Sequence, residues 1–154
     1  MTNAIETRLA ELGHTLPDAP APAANYVPYV RVGNILYVSG QIAKDRGRLI
    51  TGRLGQDAGI GEGQKAALVC ALNLLAQVKV ACGGDLSKLK RVVRLGGFVN
   101  CTPDFTDHPT VINGASDFFG DVMGEAGHHA RAAVGSTSLP LGVAVEIDGI
   151  FELR

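Results

Sequence analysis

The chain is 154 residues long and 46% hydrophobic, with 14 Lys and Arg against 15 Asp and Glu, enough for one domain with a substantial core and short for two. The near-neutral balance supplies no basic field for a polyanion, which disfavours nucleic acid as the main partner. No apolar run approaches the ~20 residues that span a bilayer and no leader pattern opens the chain, so a cytosolic protein without a membrane partner is expected.

The first predicted element is a peripheral helix from Ile5 to Leu12, capped by Asn3 and striped by Ile5, Leu9 and Leu12. Leu16 to Ala24 holds Pro17, Pro20 and Pro22 and reads as an extended segment laid over a surface. Residues 1–24 are therefore a helix and proline-rich arm ahead of a single domain over 25–154. Tyr29 to Val32 and Ile35 to Ser39 are β-rich runs joined by Gly33-Asn34, the mark of a tight hairpin. Gly47 to Gly55 adds a turn and a short third strand, and Asp57 to Gly63 is a glycine-punctuated loop.

Ala67, Cys70, Ala71, Leu74, Val78 and Ala81 then recur at helical spacing and stop at Gly83-Gly84. Val92 to Asn100 reads as a strand in which Gly96-Gly97 marks a bulge or a close approach. A second helix starts near His108-Pro109, with Val111, Ile112, Ala115, Phe118, Phe119 and Val122 as its buried stripe. Ala130 to Thr137 and Val143 to Leu153 are the last strands, separated by the turn Leu139-Pro140-Leu141-Gly142. This order predicts an α+β fold, with both helices on one face of a mixed sheet. The other face, half apolar and without a third layer to cover it, predicts a closed homo-oligomer.

Several features carry little chemistry. Cys70, Cys82 and Cys101 lack metal or redox spacing and are expected to pack as reduced thiols. His128 and His129 are adjacent on an extended segment, so they point apart and make poor joint metal ligands. The clusters Arg46, Arg48, Arg53 and Lys88, Lys90, Arg91, Arg94 are short and lack interleaved aromatics, as solvated turns do.

Arg131 is different. It is a lone cation inside the apolar run Ala130 to Val134, where a buried guanidinium costs several kcal/mol unless an anion meets it. The expected anion is a substrate carboxylate, with Glu146 on the next strand as the nearest candidate to position a water. The duller alternative is a structural Arg131–Glu146 salt bridge.

Tyr29, then Val38-Ser39-Gly40-Gln41-Ile42, then Asn113 before Phe118-Phe119, then Ala130-Arg131 with Leu139-Pro140 and Val145-Glu146-Ile147 resemble the Rid family of YjgF-like reactive-intermediate deaminases, from about Tyr26 to Arg154. The resemblance implies a chorismate-mutase-like fold, a homotrimer and three clefts between subunits. In those clefts imine or enamine products of pyridoxal-phosphate enzymes would be hydrolysed to keto acids and ammonia, a hydrolase acting on C=N bonds with no cofactor and no metal. Arg131 would then anchor the substrate carboxylate and Glu146 would hold or deprotonate the attacking water. The side chains of Tyr29, Ser39 and Asn113 and backbone groups near Ala133 would orient the substrate. Each has a plainer reading: Ser39 as a strand end, Tyr29 as a core aromatic, Asn113 as a solvent-facing helix residue. The chain departs from many members in having Val27 before Pro28-Tyr29, His129 in place of proline and Ala133 in place of cysteine. Three other functions stay open: a non-catalytic binding module for small carboxylates, an endoribonuclease for which basic groove, paired histidines and stacking aromatics are missing, and a mutase on fold analogy alone.

Overall fold

The computed structural model describes residues 3–22 and 24–154; Met1, Thr2 and Ala23 of the expected helix-and-arm segment lie outside them. Helix α1 (Ala4–Glu11) begins where Asn3 Oδ1 accepts the Glu6 N–H at 2.9 Å, which satisfies one donor that the first turn leaves over. After an extended arm, β1 (Tyr29–Val32) and β2 (Ile35–Ile42) form the expected hairpin, with Gly33 turning at φ 61°. The third strand expected within Gly47 to Gly55 does not join the main sheet. β3 (Lys44–Asp45) pairs with β4 (Arg48–Leu49) in a separate ladder of two residues a side, because the backbone turns to positive φ at Arg46, Gly47, Gly52 and Gly55 before either run can lengthen.

Helix α2 (Ile60–Ala81), strand β5 (Leu89–Asn100), helix α3 (His108–Met123), strand β6 (Ala130–Ser136) and strand β7 (Val145–Leu153) complete the chain. The main sheet runs β1-β2-β7-β5-β6, antiparallel except for β5 against β6, which α3 connects. Both long helices pack on one face, α2 over β2 and β7 and α3 over β5 and β6. The two-residue period of β7 sorts its side chains: Val145, Ile147, Phe151 and Leu153 are buried beneath the helices, while Glu146, Asp148, Ile150 and Glu152 are half-buried on the other side. That other side also carries exposed Val30, Val32, Tyr37, Phe98 and Val134, the half-apolar face expected from the alternation. The three cysteines are buried and unpaired, and among the described residues no helix is long and apolar enough to cross a membrane.

The glycines of β5 mark a close approach rather than a bulge. The register shifts fall earlier, between Leu89 and Arg91 and between Val92 and Arg94, and a Cβ at Gly97 would lie 2.7 Å from Ile112 Cδ1 on α3. α2 and α3 meet still more tightly, since a Cβ at Gly114 would run into the backbone carbonyl of Gln64. Gly114→Ala should therefore lower stability by about 1–3 kcal/mol, read as a lower urea midpoint at unchanged slope. Gly61→Ala in α2, where a Cβ meets nothing within 4 Å, should raise it by about 0.5–1 kcal/mol.

Candidate functional site

Arg131 does not face the desolvation expected of it. β6 is an edge strand of the sheet and the side chain is only half-buried, so water reaches a guanidinium that the apolar sequence around it suggested was enclosed. Pairing with Leu95 turns Arg131 to the helix side, where Nη1 donates to Ser116 Oγ at 2.9 Å and Nη2 to the Pro109 carbonyl at 3.2 Å. Two of the five guanidinium N–H groups are thereby committed and three remain, enough for one bidentate carboxylate. None of the ion pairs among the described residues includes Arg131, so the Arg131–Glu146 salt bridge does not form. A cavity of about 470 Å³ opens beside it, bordered by Asn113, Ser116, Asp117, His128 and His129.

His129 orders this cluster through the direction of its hydrogen bonds. Nδ1 lies 2.6 Å from the Gly127 carbonyl, which can only accept, so Nδ1 carries the proton. Nε2, 2.9 Å from Ser116 Oγ, must then accept the serine hydroxyl proton, which turns a serine lone pair toward Arg131 Nη1. Burial holds the imidazole below its ordinary range and outweighs the Gly127 bond; the Arg131 charge adds to the lowering. Sequence reasoning weighed His129 only as a metal ligand and passed over Ser116. The available signal was the i, i+3 spacing of Asn113 and Ser116, which puts both on one side of α3, together with a histidine two residues before the arginine.

Glu146 is elsewhere. Arg131 is level with Leu95 and through it with Gly149, whereas Glu146 lies an odd step along β7 and so on the opposite face, level with Phe98 and Val134. The expectation that Glu146 stands beside Arg131 fails within one protomer for this reason of parity. Its carboxylate lies over Gly40, where a Cβ would come within 2.5 Å of Oε1. Burial, and secondarily the charge of Asp148, raise its pKa above the usual carboxylate value. A second cavity, about 500 Å³, borders it between Gly40, Gln41, Ile42 and the arm residues Pro20 and Pro22.

The remaining expected residues divide. Asn113 borders the Arg131 cavity, and Ala133, two residues along β6, packs against the core on the same side. Ser39 Oγ donates to the Val27 carbonyl at 2.7 Å and Tyr29 packs against the core; neither borders either cavity.

A family model described as "YjgF/chorismate_mutase-like, putative endoribonuclease" matches residues 6–151. The chain is 50% identical over 152 residues to Protein TCP17 of Trypanosoma cruzi, spanning 97% of this chain and 94% of that one. It is 29% identical over 136 residues to a 2-iminobutanoate/2-iminopropanoate deaminase of Dermatophagoides farinae, spanning 87% of this chain and 90% of that one. A crystal structure of a protein of unknown function from Agrobacterium tumefaciens superposes with a TM-score of 0.92 at 53% identity, covering 98% of this chain and 93% of that one.

The two shifted groups give opposite pH signatures. The folded state resists protonating His129, so its contribution to stability is present above about pH 6.5 and is lost as pH falls through the lowered folded value. Wild-type melting temperature should drop between pH 7.5 and 5.5, and His129→Gln should flatten that drop. The folded state binds a proton on Glu146 more tightly than the unfolded chain does, so its contribution is full below pH 4.5 and lost as pH rises through the raised folded value. Glu146→Gln should raise the melting temperature at pH 7 and leave it unchanged at pH 4.

Proposed function

The chain belongs to the YjgF/chorismate mutase-like family, and on that premise we propose that it hydrolyses small imines and enamines of the 2-imino acid type to keto acids and ammonia, at clefts between the protomers of a homotrimer. The observation that carries this reading is the state of Arg131: braced from behind by Ser116 and Pro109, with three N–H groups uncommitted and a cavity beside it. A planar guanidinium so held is a receptor for a planar anion, and an α-carboxylate fits it better than a phosphate track would, given the near-neutral charge of the chain.

With the carboxylate anchored, the imine carbon is fixed in space. Glu146 takes a proton from water as the oxygen attacks the carbon of the protonated imine, and returns that proton to the nitrogen of the resulting carbinolamine; the C–N bond then breaks as the hydroxyl proton passes to Glu146, leaving the keto acid and ammonia. The raised pKa suits the task, because a base nearer the operating pH transfers protons both ways, and the demand on it is about 10²- to 10⁴-fold. Since parity puts Arg131 and Glu146 on opposite faces of one protomer, the reading needs the Arg131 side of one subunit against the Glu146 side of the next. The exposed apolar residues of the open sheet face supply a surface for that contact. Asn113 beside Arg131 and the backbone near Ala133 would orient the substrate; Tyr29 and Ser39 would support the hairpin that carries Gly40.

A second reading, a binding module for small carboxylates, draws support from the same parity, because Arg131 can hold a carboxylate without any neighbour while hydrolysis cannot proceed without one. Keto-acid-induced melting shifts with no ammonia release would favour it. The endoribonuclease description of the family stands third, and RNA cleavage that survives Arg131→Ala and stringent purification would advance it.

Arg131→Ala should lower kcat/KM for chemically generated 2-imino acids by at least about 10²-fold with the fold intact, the scale expected for a lost bidentate charge-assisted pair. Coexpressed with Glu146→Gln, which alone should be equally impaired, it should recover about one quarter of wild-type activity if each cleft joins residues of two subunits in a ring. No recovery would remove the mechanism, since parity keeps the two residues apart within one protomer.

A further inference from the structure

Three of the four buried polar side chains among the described residues, Gln41, Asn73 and Gln77, border the cavity beside Glu146. Burying a carboxamide is unfavourable unless its hydrogen bonds are made. Here each amide N–H grips a backbone carbonyl. Gln41 Nε2 donates to Ser39 O at 2.9 Å, Asn73 Nδ2 to Ile42 O at 3.3 Å and Lys44 O at 3.0 Å, and Gln77 Nε2 to Pro20 O at 2.6 Å. Because carbonyls only accept, these amide orientations are fixed. Each bond braces a different wall: the irregular stretch of β2 near Gly40, the corner between β2 and β3, and the proline-rich arm. Asn73 and Gln77 are one turn apart on α2, at positions that are each 2% exposed and that packing alone would fill with leucine.

The arm is tied at its far end as well. Lys79 pairs with Glu6 of α1 at 2.6 Å, Arg8 Nε donates to the Asp121 carbonyl at 2.9 Å, and the His14 ring meets Phe118 edge-on at 5.3 Å. Prolines limit what lies between, so the wall is preorganised. The inner surface of the cavity is mainly apolar, formed by Pro20, Pro22, Tyr26, Ile42, Pro140 and Leu141 around the Glu146 carboxylate, and its volume of about 500 Å³ exceeds the needs of a methyl or ethyl group.

We propose that this arm-walled cavity is the side-chain pocket of the site, and that the chain consequently selects 2-imino acids with branched or aromatic apolar side chains over those with one or two side-chain carbons. The inference rests on the deaminase reading above, in that the atom attacked beside Glu146 carries three groups: the nitrogen, the carboxylate directed to Arg131, and the side chain, for which this cavity remains. Each methylene moved from water to the apolar wall is worth about fourfold in affinity, or ~0.8 kcal/mol.

The test separates the pocket from the reaction. Calorimetric titration of the full chain with pyruvate, 4-methyl-2-oxopentanoate and phenylpyruvate reads selectivity without turnover; ammonia release from imines made in situ by an amino-acid oxidase from alanine, leucine and phenylalanine reads it with turnover. Wild type should bind phenylpyruvate at least tenfold more tightly than pyruvate, and kcat/KM should follow the same order. Ala21→Trp, at an exposed arm position bordering the cavity, and Gln77→Leu, which releases Pro20 at similar side-chain volume, should each bring the ratio toward one. A flat wild-type series, or a preference untouched by both variants, overturns the pocket even if ammonia is released. An apolar preference that both variants erase, with ammonia released from every imine no faster than without the protein, upholds the pocket and removes the deaminase reading.

Discussion

Alternation along β7 governs the rest of the molecule. Every second residue of that central strand feeds the core beneath α2 and α3, and the burial of Val145, Ile147, Phe151 and Leu153 leaves no freedom over where Glu146 points. A slip of one residue would put three carboxylates, Glu146, Asp148 and Glu152, into the apolar layer, so the register is enforced by the largest favourable term in folding. The same strict period, carried across β5 to β6, turns Arg131 to the opposite side. The fold thus separates the cation from the carboxylate, and the hydrolysis proposed above would need contact between protomers to reunite them.

Burial acts in opposite senses on the two halves of the candidate site. Glu146 carries a charge that burial and Asp148 both oppose, and His129 is kept neutral so that Ser116 can present a lone pair to Arg131. Both groups sit on rigid elements: β7 in the centre of the sheet for one, α3 and the short helical turn before β6 for the other.

Much of this was legible in the sequence. The hairpin at Gly33-Asn34, the stripe of α3 and the alternation of β7 rest on local periodicity, which burial reinforces, and the structure keeps all three. What escaped were facts of pairing. That β6 is an edge strand follows from sheet order, which no local pattern records, so Arg131 looked enclosed when it is half open to water. That β3 and β4 stand apart from the main sheet depends on successive positive-φ turns around Arg46 and Gly47. The pairing of Ser116 with His129 was missed because it spans thirteen residues and a change of element, and Gln77 because a polar residue on a buried stripe resembles an error until its partner, a proline carbonyl 57 residues earlier, is in view.

The grip of Gln77 on Pro20 also divides labour within the chain. Arg131 and Glu146 stand on strands of the main sheet, whereas one wall of the chamber beside Glu146 is a surface ribbon held by the Gln77 amide and by the contacts of the segment before it. On the reading proposed above, substitutions in that ribbon would retune which guests are admitted and leave the strands that carry Arg131 and Glu146 untouched.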